Sequence, residues 1–253
     1  MTHNMVKKSC RRQKLPNKDV LLPPNLTEED ENDHVKIRKL NVCFRTKAQE
    51  ELWNLIDDKE ITIIAGSAGT GKSFISILKA LCLLQQHPYK YKKIFVVTPA
   101  VEADEKSLGA MPGLLDEKLA PYMYSIKYLF TKILGVVKTN RMFERKQVEI
   151  LAMSFMRGVN IDDAILICDE FQNCTPRQAK TLLTRIGENA KFIINGDYSQ
   201  SDRYKNCKES GLYVSMERLR NIPQIGIFEF SDDDIVRNDI IKVILQRFNT
   251  DTL

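Results

Sequence analysis

The eight residues Gly66-Ser67-Ala68-Gly69-Thr70-Gly71-Lys72-Ser73 constrain this chain more than any other stretch. Before them runs Ile61-Thr62-Ile63-Ile64-Ala65, apolar and β-branched like a buried parallel strand. After them Phe74, Ile75, Ile77, Leu78, Leu81 and Leu84 recur at helical spacing. The order is strand, glycine loop, helix. In that frame the glycines let backbone N–H groups curl around a β-phosphate, and the Lys72 ammonium reaches the β- and γ-phosphates. The Ser73 hydroxyl ligates Mg²⁺ at a helix N-terminus whose dipole favours anions. A glycine loop can also be a plain strand-to-helix turn, but here the flanks are those of a phosphate site. The spacing predicts a protein that uses ATP with Mg²⁺, bound by residues 66–73.

A second chemical signal is Asp169-Glu170, set directly after the apolar run Ala164-Ile165-Leu166-Ile167-Cys168. Both carboxylates would emerge at the carboxyl end of a buried strand, where ligands of open α/β sheets collect. There Asp169 can hold the Mg²⁺ shell while Glu170 polarises the attacking water, the division of labour that phosphoanhydride hydrolysis needs. A third is Asn195-Gly196-Asp197-Tyr198-Ser199-Gln200 after Phe192-Ile193-Ile194. Gln200 is placed to donate to a γ-phosphate; the alternative is a turn built on Gly-Asp.

From Asn41 onward strand and helix patterns alternate. Strands are expected at Ile61–Ala65, Ile94–Thr98, Val148–Met153, Ala164–Cys168, Lys191–Asn195 and Gly226–Phe230. Thr175-Pro176 opens a helix that Gly187 is expected to close, and Ser231 with Asp234 forms a capping box for the last one. Such alternation predicts an α/β fold, a mostly parallel sheet with helices on both faces.

The 253 residues suffice for one core domain and an arm. The arm is residues 1–40, with a basic block from Lys7 to Lys18, prolines, and an acidic block from Glu28 to Asp33. It reads as a flexible, solvated tail or as a phosphate-gripping arm for nucleic acid. No run approaches the roughly 20 apolar residues that span a bilayer, and the N-terminus lacks an apolar signal core. A soluble, cytoplasmic protein without a membrane partner is expected. The six cysteines fall at irregular spacings and are read as reduced thiols, Cys82 and Cys168 in the core. A net charge of +5 permits a nucleic-acid partner without demanding one.

Seven motifs in order resemble the PhoH family of phosphate-starvation ATPases, in a compact form such as phages carry. They are Gly66 to Ser73; Thr98-Pro99-Ala100-Val101-Glu102; Leu108-Gly109 with Pro112-Gly113; Met156-Arg157-Gly158; Asp169-Glu170-Phe171-Gln172-Asn173; Leu183 to Gly187; and Gly196-Asp197 with Gln200. The resemblance covers about residues 41–248, and residues 41–253 form the corresponding ATPase domain. It implies a P-loop NTPase core of the RecA-like kind, a single core domain related to superfamily 1 helicases, with ATP hydrolysis, RNA association and ring-shaped assembly. Phe171 stands where the family usually has alanine, Thr98 where arginine is usual and Asn238 where histidine is common. The resemblance also implies that Gln49 reads the adenine edge. The residues allow another account, in which Thr46 and Gln49 form a T-x-x-Q box capping a helix with Leu52, Trp53 and Ile56.

Hydrolysis also needs a cation at the γ-phosphate. Arg157, Arg177, Arg185, Arg203 and Arg237 are candidates, and Arg237 is favoured because its surroundings resemble the family's C-terminal motif. With room for one core domain, the missing wall of the ATP site is expected from a second copy, in a head-to-tail homo-oligomer such as a hexameric ring. Two functions fit: an ATPase acting on RNA or single-stranded nucleic acid with helicase-like motifs, and a nucleotide-gated protein-binding switch.

Overall fold

The computed structural model describes residues 40, 42–99, 115–200 and 206–236. The expected arm, apart from Leu40, lies outside the described residues, as do Ala100-Val101-Glu102, Leu108-Gly109, Pro112-Gly113, Arg203, Arg237 and Asn238.

Six strands form one sheet, each within a residue or two of its expected bounds: β1 (Ile61–Ala65), β2 (Lys93–Thr98), β3 (Val148–Ala152), β4 (Ala164–Cys168), β5 (Lys191–Gly196) and β6 (Ile225–Glu229). Their order is β3-β2-β4-β5-β1-β6, and all five pairings are parallel. β1 and β4 therefore both flank β5, with Ala65 opposite Gly196 and Cys168 opposite Ile194. Since every strand runs the same way, every carboxyl end opens on one edge.

Both faces of the sheet are covered, which is why the strands read as near-continuous apolar runs. Alternate residues divide between the two faces. Ile64, Val96, Ile165, Ile167 and Ile193 pack under four helices: α1 (Lys47–Asp58), α2 (Lys72–Gln86), α3 (Leu115–Leu134) and α4 (Val136–Glu144). Ile63, Val97, Leu166, Phe192 and Ile194 pack under α5 (Pro176–Leu183) and α6 (Gly211–Leu219). α2 is buried on nearly its whole circumference from Ile75 to Leu84, so the residues behind the glycine loop have little room to shift.

The Thr175 hydroxyl accepts from the Gln178 N–H and the Gln178 side chain accepts from the Thr175 N–H, the expected cap of α5. Gly187 does not close that helix, which ends at Leu183 with Thr184 as its cap. It lies where the chain passes Asp162, and a Cβ there would stand 1.8 Å from the Asp162 carboxylate. Ser231 donates to the Asp234 carboxylate from both its N–H and its hydroxyl, which is half of the expected capping box; the Asp234 N–H goes to the Ser231 carbonyl instead of the hydroxyl. Cys82, Cys168, Cys174 and Cys207 are free thiols, the first three buried; Cys43 is disulfide-bonded, contrary to the reading of all six as reduced. No helix among the described residues is long and apolar enough to cross a membrane.

Lys191, at the start of β5, donates to the carbonyls of Ile56, Asp57 (3.1 Å) and Lys59 (2.6 Å) and so closes the carboxyl end of α1. Burial pulls its pKa from the ordinary 10.5 down to about 8, against the attraction of Asp57. Between those values the folded chain holds fewer protons than the unfolded one, so this group makes stability rise with pH across the window. Urea titrations should show the unfolding free energy of the wild type climbing relative to Lys191→Met from about pH 8 to pH 10. Parallel profiles would mean that Lys191 titrates as in the unfolded chain.

Candidate phosphate-binding and catalytic site

The loop between β1 and α2 owes its shape to two glycines in particular. Gly71 has φ +91, a region L side chains rarely adopt, and a Cβ on Gly66 would stand 2.6 Å from the Cβ of Phe230. The loop is braced from within by the Thr70 hydroxyl, which donates to the Ser67 carbonyl at 3.1 Å. Lys72 spans it, its ammonium donating to the carbonyls of Gly66 and Ser67 (3.0 Å).

Two outside segments hold the same loop. The buried Gln49 donates through Nε2 to the Thr70 carbonyl at 2.9 Å and accepts the Arg45 N–H at 2.9 Å, while its own N–H donates to the Thr46 hydroxyl at 3.2 Å. Half of the expected capping box is therefore present, and the Gln49 amide is spent on the loop rather than on the cap residue. The Val236 N–H donates to the Gly69 carbonyl at 3.1 Å, and the Val236 carbonyl accepts from the Arg45 guanidinium at 3.2 Å. Arg45 was not among the sequence candidates, since its guanidinium partner lies 191 residues away and nothing local marks it.

Across the sheet edge, the Ser73 hydroxyl donates to Asp169 Oδ2 at 2.7 Å. The Asp169 N–H is fixed by the Val97 carbonyl at 3.1 Å. Burial pushes the Asp169 carboxyl above the ordinary range, opposed by the Ser73 hydroxyl and the Lys72 charge. Glu170 adopts the left-handed region, φ 58 and ψ 33, at a cost on the order of 1–2 kcal/mol for a side chain with a Cβ. Its carboxyl is also raised, first by desolvation and then by the Asp169 charge, with Gln172 and Lys72 opposing.

Gln172 is the functional candidate that sequence reasoning missed. Only 1% exposed, it donates through Nε2 to Glu170 Oε2 at 2.7 Å and to the Gln200 carbonyl at 3.2 Å. Its Oε1 accepts the Asp197 N–H at 2.9 Å. One amide thus ties the carboxylate after β4 to the turn after β5. Its position two residues past Glu170 was the available signal, but its other partners lie 25 and 28 residues away.

A cavity of about 510 Å³ opens over the loop, with Lys72, Ser73, Asp169, Glu170 and Gln200 among its lining. Gln49 and Arg45 wall one side, Leu129 and Lys132 of α3 another, and Phe74, 38% exposed, also lines it. A second cavity, also about 510 Å³, lies against Thr98, Tyr122 and Ile126 and shares Asp169, Glu170, Gln200 and Leu129 with the first. Of the sequence-predicted residues, Gln49, Ala68, Gly69, Gly71, Lys72, Ser73, Asp169, Glu170 and Gln200 line the first cavity; Gly66, Ser67 and Thr70 complete its loop. Among the described residues no three carboxylates, histidines or cysteines cluster as a metal site. A hydroxyl and one carboxylate 2.7 Å apart fit Mg²⁺, which keeps waters and takes phosphate oxygens for the rest of its shell.

A glycine loop between strand and helix, with an acidic pair two strands away on the same edge of a parallel sheet, defines the P-loop NTPase fold. The chain belongs to the PhoH-like protein family, whose model matches residues 41–249. It is 38% identical over 225 residues to the PhoH-like protein of Bacillus subtilis (strain 168), covering 89% of this chain and 69% of that one. It is 35% identical over 210 residues to Protein PhoH of Escherichia coli (strain K12), covering 82% and 58%. This chain therefore spans about two thirds of the one relative's length and less of the other's. Solved structures similar to it include the large terminase of a thermophilic bacteriophage in complex with ADP, at 13% identity and TM-score 0.47 over 81% of this chain and 50% of that chain. The Pif1 helicase of Candida albicans matches at 15% identity and TM-score 0.35 over 75% and 40%.

A carboxyl whose folded pKa exceeds its unfolded value contributes stability at low pH and loses it as pH rises through the folded pKa. In metal-free buffer Asp169 therefore contributes less stability at neutral pH than at low pH. Asp169→Asn is expected to melt above the wild type at pH 7 in EDTA, with the advantage shrinking as pH falls into the ordinary carboxylate range. A melting temperature below the wild type at pH 7 would show that the ionised carboxylate, bonded to Ser73, stabilises the fold instead.

Proposed function

We propose that this chain is an ATPase in which water attacks the γ-phosphate. The observation that carries this reading is the 2.7 Å hydrogen bond from Ser73 to Asp169, which brings Lys72, the residue before Ser73, to the same edge as Glu170, the residue after Asp169. Mg²⁺, when bound between Ser73 and Asp169, supplies neutralisation of the phosphate charge. The loop N–H groups and Lys72 hold the β- and γ-phosphates. Glu170 takes the proton of the attacking water, and its raised pKa brings it nearer to the working pH of a general base. Gln172 holds that carboxylate in place, and Gln200, which lines the cavity, reports the γ-phosphate.

We assign Gln49 to the nucleotide loop, which it grips through the Thr70 carbonyl, and to the adenine edge beside it. Arg237 is assigned to the transition-state charge; its neighbour Val236 is bonded to Gly69. The substrate on which turnover acts is RNA or single-stranded nucleic acid. The assembly is a homo-oligomeric ring, in which a neighbouring copy covers the open side of the cavity near Phe74.

Lys72→Ala should lose ATP turnover, whereas Glu170→Gln should keep ATP bound while hydrolysing it roughly 10² to 10⁴ times more slowly, measured by phosphate release beside calorimetry. Unchanged hydrolysis in Glu170→Gln would show that another group is the base. Light scattering with non-hydrolysable ATP should report an oligomer, and a strict monomer with full turnover would reject the ring.

A further inference from the structure

Two groups of basic residues in the described chain differ in how they are matched. Those toward the amino-terminal edge of the sheet are matched with carboxylates: Lys79 with Asp57, Lys92 with Asp163 and Lys93 with Glu149. The second set lies from Tyr122 to Gln147, across α3, α4 and the turn after them. There Lys127, Lys132, Lys138, Arg141, Arg145 and Lys146 stand against the single carboxylate Glu144. Among the described residues no ion pair engages Lys127, Lys132, Lys138 or Arg141. Counted from the start of α3, where Asp116, Glu117 and Lys118 stand, residues 115–147 carry a net charge of +4.

Aromatic rings are interleaved with that charge. Tyr124 is 76% and Tyr128 51% exposed, one helical turn apart on α3 and about 6 Å along its axis. Tyrosine offers a flat ring and a polar tip to water, and rings exposed in this way are free to stack on a flat ligand. The Lys132 ammonium stands 5.0 Å from the Tyr128 ring centroid, so cation and ring already face the same space. Ile126 and Phe130, on the opposite side of the same helix, are buried in the core, which makes the aromatic face a rigid one.

We propose that the outer face of α3 and α4 is a binding site for single-stranded nucleic acid, with Tyr124 and Tyr128 stacking on successive bases and Lys127, Lys138 and Arg141 meeting the phosphates. This rests on the nucleic-acid reading above and gives it a location. Exposed rings favour a single strand over a duplex, whose base faces are already stacked. They also favour it over a membrane, since the apolar residues here alternate with cations instead of forming one continuous stripe. Leu129, on the flank of α3, and Lys132, beside Tyr128, both line the nucleotide cavity. A strand lying on the outer face therefore bears on the helix that walls the ATP site.

The test is fluorescence anisotropy of the full chain with a labelled 20-nucleotide oligo-U, an oligo-dT and a 20-base-pair duplex, over a series of salt concentrations, beside vesicles containing phosphatidylserine. Tyr124→Ala with Tyr128→Ala should weaken oligo-U binding at least roughly tenfold. Lys127→Glu with Lys138→Glu and Arg141→Glu should lower the slope of log affinity against log salt by about 2. Circular dichroism melting checks that both variants fold, and Tyr124→Leu with Tyr128→Leu replaces the first if it does not. Wild-type binding that both variants retain would overturn this location while leaving the nucleic-acid reading intact. Wild-type binding to vesicles but to none of the three polymers would overturn both, and tighter binding of duplex than of either single strand would overturn the stacking. ATP binding by calorimetry, run in parallel, keeps these outcomes separate from failure of the ATPase reading.

Discussion

The hydrogen bond between Ser73 and Asp169 is the contact on which the rest of the site depends, because it joins two segments 96 residues apart in sequence. Neither partner is placed by its own neighbours alone. Ser73 sits in the first turn of a helix buried on nearly all sides, and the Asp169 N–H is held by the Val97 carbonyl of the adjacent strand. The separation between them is set by β5, whose parallel register puts Gly196 beside Ala65 and Ile194 beside Cys168. Reversing either β1 or β4 would send its end of the pair to the opposite edge. The parallel sheet is thus a requirement of the chemistry as well as a solution to burying apolar strands.

The site also carries strain. Glu170 occupies a left-handed conformation and holds a partly desolvated carboxyl beside a second one, and both features cost stability. The offsetting interactions come from Gln172, which bonds the Glu170 carboxylate, the Asp197 N–H and the Gln200 carbonyl at once. Because one amide serves all three, a shift of the turn after β5 moves the carboxylate after β4. The turn that carries Gln200 and the Glu170 carboxylate are therefore linked through a single buried side chain, with no need for a longer relay.

The fold was legible in the sequence because each central strand is buried on both faces, which leaves five-residue apolar runs that no surface strand or amphipathic helix would show. The phosphate loop and acidic pair were legible for a similar reason: each follows directly on such a run. What escaped was whatever depends on a distant partner. Gly187 carries the usual mark of a helix end, and only its approach to Asp162 explains it. Gln49 satisfied a local capping pattern, yet its Nε2 goes to Thr70, 21 residues on. Arg45 has no local pattern at all, and Gln172 has only its place two residues past Glu170, since an amide or guanidinium shows its full role only once the segments it bridges are in place.

α3 shows how one element can belong to both halves of this chemistry. Its buried side, with Ile126 and Phe130, fixes its distance from the sheet, and its flank gives Leu129 to both cavities beside Glu170. Its outer side carries cations and exposed tyrosines. A rigid helix seated this way cannot be displaced on one side without changing the other, because close-packed interiors transmit small shifts and do not absorb them. A ligand on the outer face, as proposed, would therefore act on the width of the space next to the Glu170 carboxylate. On the proposed reading, coupling between polymer and nucleotide would need no second core domain for that step, only this helix.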